Sequence, residues 1–99
     1  MLSKIPLSTE NMTKEDIDRE IMRMGMIAEL DAINLYEQLA VAAESDILKK
    51  VLMDIAREEK AHIGEFQAML LKADPEQAKE LKEGKEEVTK LEKDARDNP

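Results

Sequence analysis

The sequence predicts an all-α fold, an antiparallel hairpin of two long helices followed by a short third one. Three observations lead there. Apolar residues recur at three-and-four spacing over two long stretches, no proline falls between Thr13 and Ala73, and helix-start signals stand at Thr13, Ser45 and Asp74. With aromatics at only 2%, the apolar share comes from Leu, Ile, Ala, Val and seven Met, mostly good helix formers.

Residues 1–12 carry Pro6 and a polar Ser-Thr-Glu-Asn cluster, and they read as a flexible N-terminal arm. Thr13 with Asp16 three positions on resembles a capping pair, and the chain then runs without proline to about Glu44. Within this first helix Ile17, Ile21, Met24, Ala28, Leu35, Leu39 and Ala42 form one stripe. Met22, Met26, Ile33, Tyr36, Ala40 and Ala43 form a second beside it. Together they make an apolar face wider than one partner helix covers, so more than one neighbour is expected.

Ser45 and Asp46 leave room only for a short connection, which makes the second helix an antiparallel neighbour of the first. Its stripe is Leu48, Leu52, Ile55, Phe66 and Met69, and it ends near Lys72. Asp74, Pro75 and Gln77 then supply a cap, a proline at the first helical position and a capping-box partner. Gly84 is the expected stop of a short third helix. From Lys85 onward Val88 and Leu91 are the only large apolar residues, so residues 85–99 read as a charged tail or linker behind a helical domain over 13–84.

A net charge of −8, with Lys and Arg interspersed among acids, argues against nucleic acid and favours cations as partners. No apolar run is long enough for a membrane span, and the N-terminus lacks a basic region followed by an apolar block. A soluble, unexported protein is therefore expected. With no Cys, any transition metal must be held by carboxylate and imidazole.

The chemistry lies where the apolar stripes are interrupted. On the second helix Glu59 and His62 fall in phase with Ile55 and Phe66, and a spacing of three puts both on one face about a turn apart. On the first helix Glu29 lies between Met26 and Ile33. A carboxylate in such a stripe needs a partner, and one His cannot neutralise two glutamates, whereas a divalent cation can. The competing reading pairs Glu59 and His62 with Lys49, Arg57 or Lys60 on an exposed face.

Stoichiometry favours a shared site. A two-metal carboxylate centre in a four-helix bundle draws a Glu from each of two helices and a Glu-x-x-His from each of the other two. This chain supplies one of each. Two hairpins would supply the whole set, closing a ferritin-like four-helix bundle as a homodimer and covering the broad apolar face.

The segments AELDAINLYEQ (Ala28 to Gln38) and AREEKAHIGEF (Ala56 to Phe66) resemble the encapsulated ferritins, closest to the ferritin-like domain fused to an encapsulin shell protein in some archaea. The resemblance covers about residues 14–87. It implies two iron ions per dimer held by Glu29, Glu59 and His62, with Tyr36 beside the site. It further implies ferroxidase activity, with Fe(II) and O₂ or peroxide as substrates. A decameric ring of dimers, and residence in the cytoplasm inside an encapsulin nanocompartment for iron storage, are implied with it. The acidic pair that family members can carry at a metal entrance corresponds to positions 28 and 31, where only Asp31 keeps a carboxylate. Read from the residues alone, Tyr36 has two roles open to it, a hydrogen bond or electron relay at the metal, or a core aromatic. The methionines read as shape-tolerant filler. Two other functions compete, a non-catalytic oligomerisation or cargo-adaptor domain and a Mn- or Zn-binding bundle on the same ligands.

Overall fold

In a computed structural model of the chain, residues 12–98 are described. They form three helices, α1 (Lys14–Ala42), α2 (Asp46–Ala73) and α3 (Pro75–Asp97). No strand occurs among the described residues. Apart from Met12, the expected N-terminal arm lies outside them.

Each expected cap is in place. The side chain of Thr13 accepts from the Asp16 amide at 3.1 Å, that of Ser45 from Leu48 at 3.3 Å, and that of Asp74 from Gln77 at 3.0 Å. These bonds satisfy amides that have no partner within their own helix, which fixes where each helix begins. The connection between α1 and α2 is only residues 43–45, so the two run antiparallel along each other.

Of the two stripes on α1, the second turns inward. Ile33 and Ala40 on α1 and Ala56 and Leu70 on α2 are buried, with Met26 and Ile63 half-buried. Both series step by seven, the spacing that keeps a seam facing one partner along a helix pair. The other α1 stripe is left in the open, with Ile21, Leu35 and Leu39 all exposed, as are Leu48 and Met69 on α2.

So narrow a seam leaves the chain expanded. Its radius of gyration is 17.9 Å, against about 13 Å for a compact domain of 100 residues. Its accessible surface is 7953 Å², against roughly 5,700 Å² for a compact monomer of this mass.

The third helix differs from expectation. It does not stop at Gly84 but continues to Asp97, and no glycine has positive φ. Glycine inside a helix costs about 1 kcal/mol, and Lys- and Glu-rich flanks absorb that cost. Glu86 with Lys90 and Glu92 with Arg96 stand at the favourable four-residue spacing, acid first. The charged segment is thus a helix, although its apolar residues Val88 and Leu91 remain exposed.

The corner before α3 is tied to α1. Arg23 donates to Asp74 Oδ2 at 2.8 Å, and Arg19 donates to the Ala73 carbonyl at 3.5 Å while also pairing with Asp16. The Gln77 amide bond, and then the Arg23 guanidinium, hold the Asp74 carboxyl below its usual range.

Candidate metal centre

Glu29 projects from the middle of α1, and Glu59 and His62 from the middle of α2, one helical turn apart. His62 Nδ1 lies 3.3 Å from Glu59 Oε2 and 3.5 Å from Glu29 Oε2. One ligand atom from each of the three residues lies within 4.8 Å of the others. Among the described residues this is the one group of three or more such side chains that could hold a metal ion.

Burial is uneven across the cluster. The Glu29 and Glu59 side chains are 19% accessible and that of His62 46%, so the histidine opens to solvent in the single chain, which its place in phase with the apolar stripe of α2 does not predict. The reason is that the seam of α2 runs through Ala56 and Ile63, which leaves His62 on its edge.

Glu29 Oε2 is fully buried and accepts no hydrogen bond. A buried carboxylate oxygen without a donor is costly, on the order of 1–3 kcal/mol, and a cation placed among these three side chains would relieve it. Carboxylate and imidazole suit iron, manganese or zinc. The observed residues therefore fit a metal.

The neighbouring cations are engaged elsewhere. Arg57 pairs with Asp54, three residues before it on α2, and Lys60 reaches across to Glu37 at 3.8 Å. The exposed ion-pair reading assigned both to Glu59 and His62, and neither pairs there.

Other candidates lie apart from the cluster. Asp31, two residues after Glu29, falls on a different face of α1, and it is half-buried. Tyr36, also half-buried, stands two turns along α1 from Glu29, about 10 Å along the axis. Neither belongs to the group of three.

Sequence reasoning missed Gly25. A Cβ built there would meet the Phe66 ring at 2.6 Å, so the ring rests directly on the α1 backbone. The available signal was an isolated glycine inside an apolar helical stretch, which often marks a close approach.

Comparison with known proteins agrees with this architecture. Residues 20–98 match the family model described as Rubrerythrin, a span that includes all three cluster residues and α3 beyond Gly84. The chain is 61% identical over 79 residues to the ferritin-like-encapsulin shell fusion protein of Pyrococcus furiosus, covering 80% of this chain and 23% of that protein. It is 38% identical over 80 residues to the encapsulin nanocompartment cargo protein EncC of Myxococcus xanthus, covering 81% of this chain and 61% of the other. The chain thus spans only part of both curated relatives. The crystal structure of the encapsulated ferritin domain from Pyrococcus furiosus superposes with a TM-score of 0.78 at 52% identity, over 92% of this chain and 95% of that one. With the same helical fold matched over nearly the whole of both chains at that identity, this chain belongs to the rubrerythrin family, among its encapsulated ferritins.

Proposed function

We propose that two copies of this chain pair through the open side of the hairpin and oxidise Fe(II) to Fe(III) at a di-iron site shared between them. The observation that carries the reading is the orphaned Glu29 Oε2, buried within reach of Glu59 and His62 at the edge of a hairpin whose outer apolar stripe is uncovered. Three ligands per chain are too few for two metals. A second chain doubles them.

Fe(II) is the substrate. Each of two ferrous ions gives up one electron; O₂ taking two electrons and two protons leaves as hydrogen peroxide, or peroxide taking the same becomes two waters. The residues' part is to hold the ions. The carboxylates of Glu29 and Glu59 supply hard anionic oxygens that favour the ferric product over the ferrous substrate, and the His62 imidazole contributes a neutral donor. The partly buried setting strengthens these interactions by excluding water. Tyr36 is placed two turns away, where it can relay an electron or order the surrounding polar groups, and Asp31 belongs to the route of entry from the outer face.

The wider assignment rests on the relatives' names and on the uncovered surface. A ring of dimers, taken to be a decamer, would cover the remaining apolar residues. An encapsulin shell in the cytoplasm would enclose it, so that ferric product is mineralised and stored there. The domain division stays at a helical domain over 13–84 and a charged tail or linker over 85–99, with α3 running across the division as far as Asp97. Among the described residues no helix is long and apolar enough to cross a membrane.

Oxygen consumption on adding Fe(II) tests the reading. Glu29→Ala, Glu59→Ala and His62→Ala are each expected to remove it while leaving helical content intact. Undiminished turnover in all three would reject the site. An oligomer that binds no metal and gains no thermal stability from Fe(II) would instead be the cargo-adaptor domain, and Mn or Zn bound tightly without iron oxidation would mark a bundle for those metals.

A further inference from the structure

We infer that Gly25 and Phe66 form a spacer that sets the width of the metal site, a role that rests on the metal reading above. The two are placed for it. Gly25 stands four residues before Glu29 on α1, and Phe66 four residues after His62 on α2. In an antiparallel pair these steps run the same way, so the Gly25–Phe66 layer lies one turn, about 5.4 Å, from the Glu29–His62 layer and on the same faces.

The contact at that layer leaves no slack. A Cβ on residue 25 would meet three Phe66 ring carbons at 2.6–2.8 Å, where ordinary van der Waals contact begins at 3.4 Å. A methyl group there requires an opening of at least 0.4 Å to reach 3.0 Å, and 0.8 Å to reach ordinary contact, by movement of the ring or of the helices. Gly64 and Gly84, by contrast, have nothing within 4 Å of such a Cβ. Helix formation would favour alanine over glycine at residue 25 by about 1 kcal/mol. The glycine thus serves the close approach of the ring rather than α1 itself.

The ligand cluster is sensitive to that width because it straddles both helices. Glu29 reaches His62 Nδ1 at 3.5 Å from the opposite helix, whereas Glu59 and His62 share one helix and keep their spacing whatever the helices do. Parting α1 from α2 one turn away withdraws Glu29 alone from the other two. Gly25 and Phe66 are therefore positioning residues. They touch no substrate and act through the separation of Glu29 from the Glu59–His62 pair.

Cobalt(II) titration of the assembled full-length protein provides the test, since Co²⁺ accepts the same ligands, is not oxidised by air on mixing, and has visible absorption bands that report its coordination. Gly25→Ala is expected to lower Co²⁺ affinity about tenfold, the size typical of disturbing groups that orient metal ligands, and to shift the bands. Gly25→Ala with Phe66→Leu, which removes the ring edge that the methyl strikes, is expected to restore both. Phe66→Leu alone gives the affinity and bands to which the double variant should return. Should Gly25→Ala fail to assemble, the comparison of the double variant with Phe66→Leu carries the test: equal affinity and bands support the spacer, and tenfold weaker binding in the double variant overturns it. A folded Gly25→Ala protein with unchanged affinity and bands would also overturn it, showing that the ring swings aside without moving the helices. Failure of the underlying site looks different. There the parent protein binds no Co²⁺, or Glu29→Ala binds it unchanged.

Discussion

Glu29 Oε2 and His62 Nδ1 face each other at 3.5 Å across two helices, yet the Glu29 oxygen accepts no hydrogen bond. The buried residues of the seam, Ile33, Ala40, Ala56 and Leu70, are all apolar and offer that oxygen no side-chain donor.

From this follows a trade between stability and binding. Glu29→Leu removes an unsatisfied buried oxygen and adds apolar contact, so the metal-free protein should gain about 1 kcal/mol and melt several degrees higher. Metal should no longer raise its melting temperature. A metal-free variant that melts below the parent would contradict the account of Glu29 as a costly, functional group.

Pairing can be tested without touching a ligand. Met69 stands two turns along α2 from His62 on the same face and is 56% exposed. Met69→Arg puts a charge into the surface that the proposed second chain would cover, which should give monomers by light scattering and abolish most iron oxidation. Full activity in a monomeric protein would reject the shared site.

Gly84 offers the opposite case to Gly25. It lies inside α3, with open space where a Cβ would go. Gly84→Ala should therefore raise helix stability by about 0.5–1 kcal/mol, seen as greater helical ellipticity on warming, with no change in metal binding. Lower helicity would mean that the segment beyond Gly84 is not continuous with α3.

The corner before α3 should respond to acid. Because the Asp74 carboxyl is held below its ordinary value of 3.8, its contribution is complete above that value and is lost as pH falls through the lower, folded-state one. Asp16 behaves likewise through Arg19 and Asp54 through Arg57, so acid melting of the parent reports all three. Asp74→Asn isolates the corner: it should shrink the stability lost between pH 5 and 2, read as thermal midpoints across that range. An identical pH profile in parent and variant would show that the Arg23 and Gln77 contacts contribute nothing.

The helix starts were legible because Thr13, Ser45 and Asp74 act within three residues of themselves, a range that sequence displays directly. Glu29, Glu59 and His62 were legible as interruptions of apolar stripes, and the structure brings those three together. What sequence concealed depended on distance. Which of the two α1 stripes turns inward is decided by α2, and the Arg23–Asp74 tie joins residues far apart along the chain. The length of α3 was hidden for another reason. Gly84 is a stop signal only where the backbone adopts positive φ, and the surrounding Glu and Lys keep it helical.

The thinness of the seam has a thermodynamic corollary. In the pairing proposed above, a chain with four buried apolar side chains among its described residues would draw most of its stability from other copies of itself, and folding and association would form one equilibrium governed by mass action. Its melting temperature should rise with protein concentration. Dilution is then equivalent to denaturation. A small closed volume of the kind proposed above would, by holding many copies together, do thermodynamically what a larger hydrophobic core does for an independent monomer, and it would confine the proposed iron chemistry to the place where the chains are concentrated.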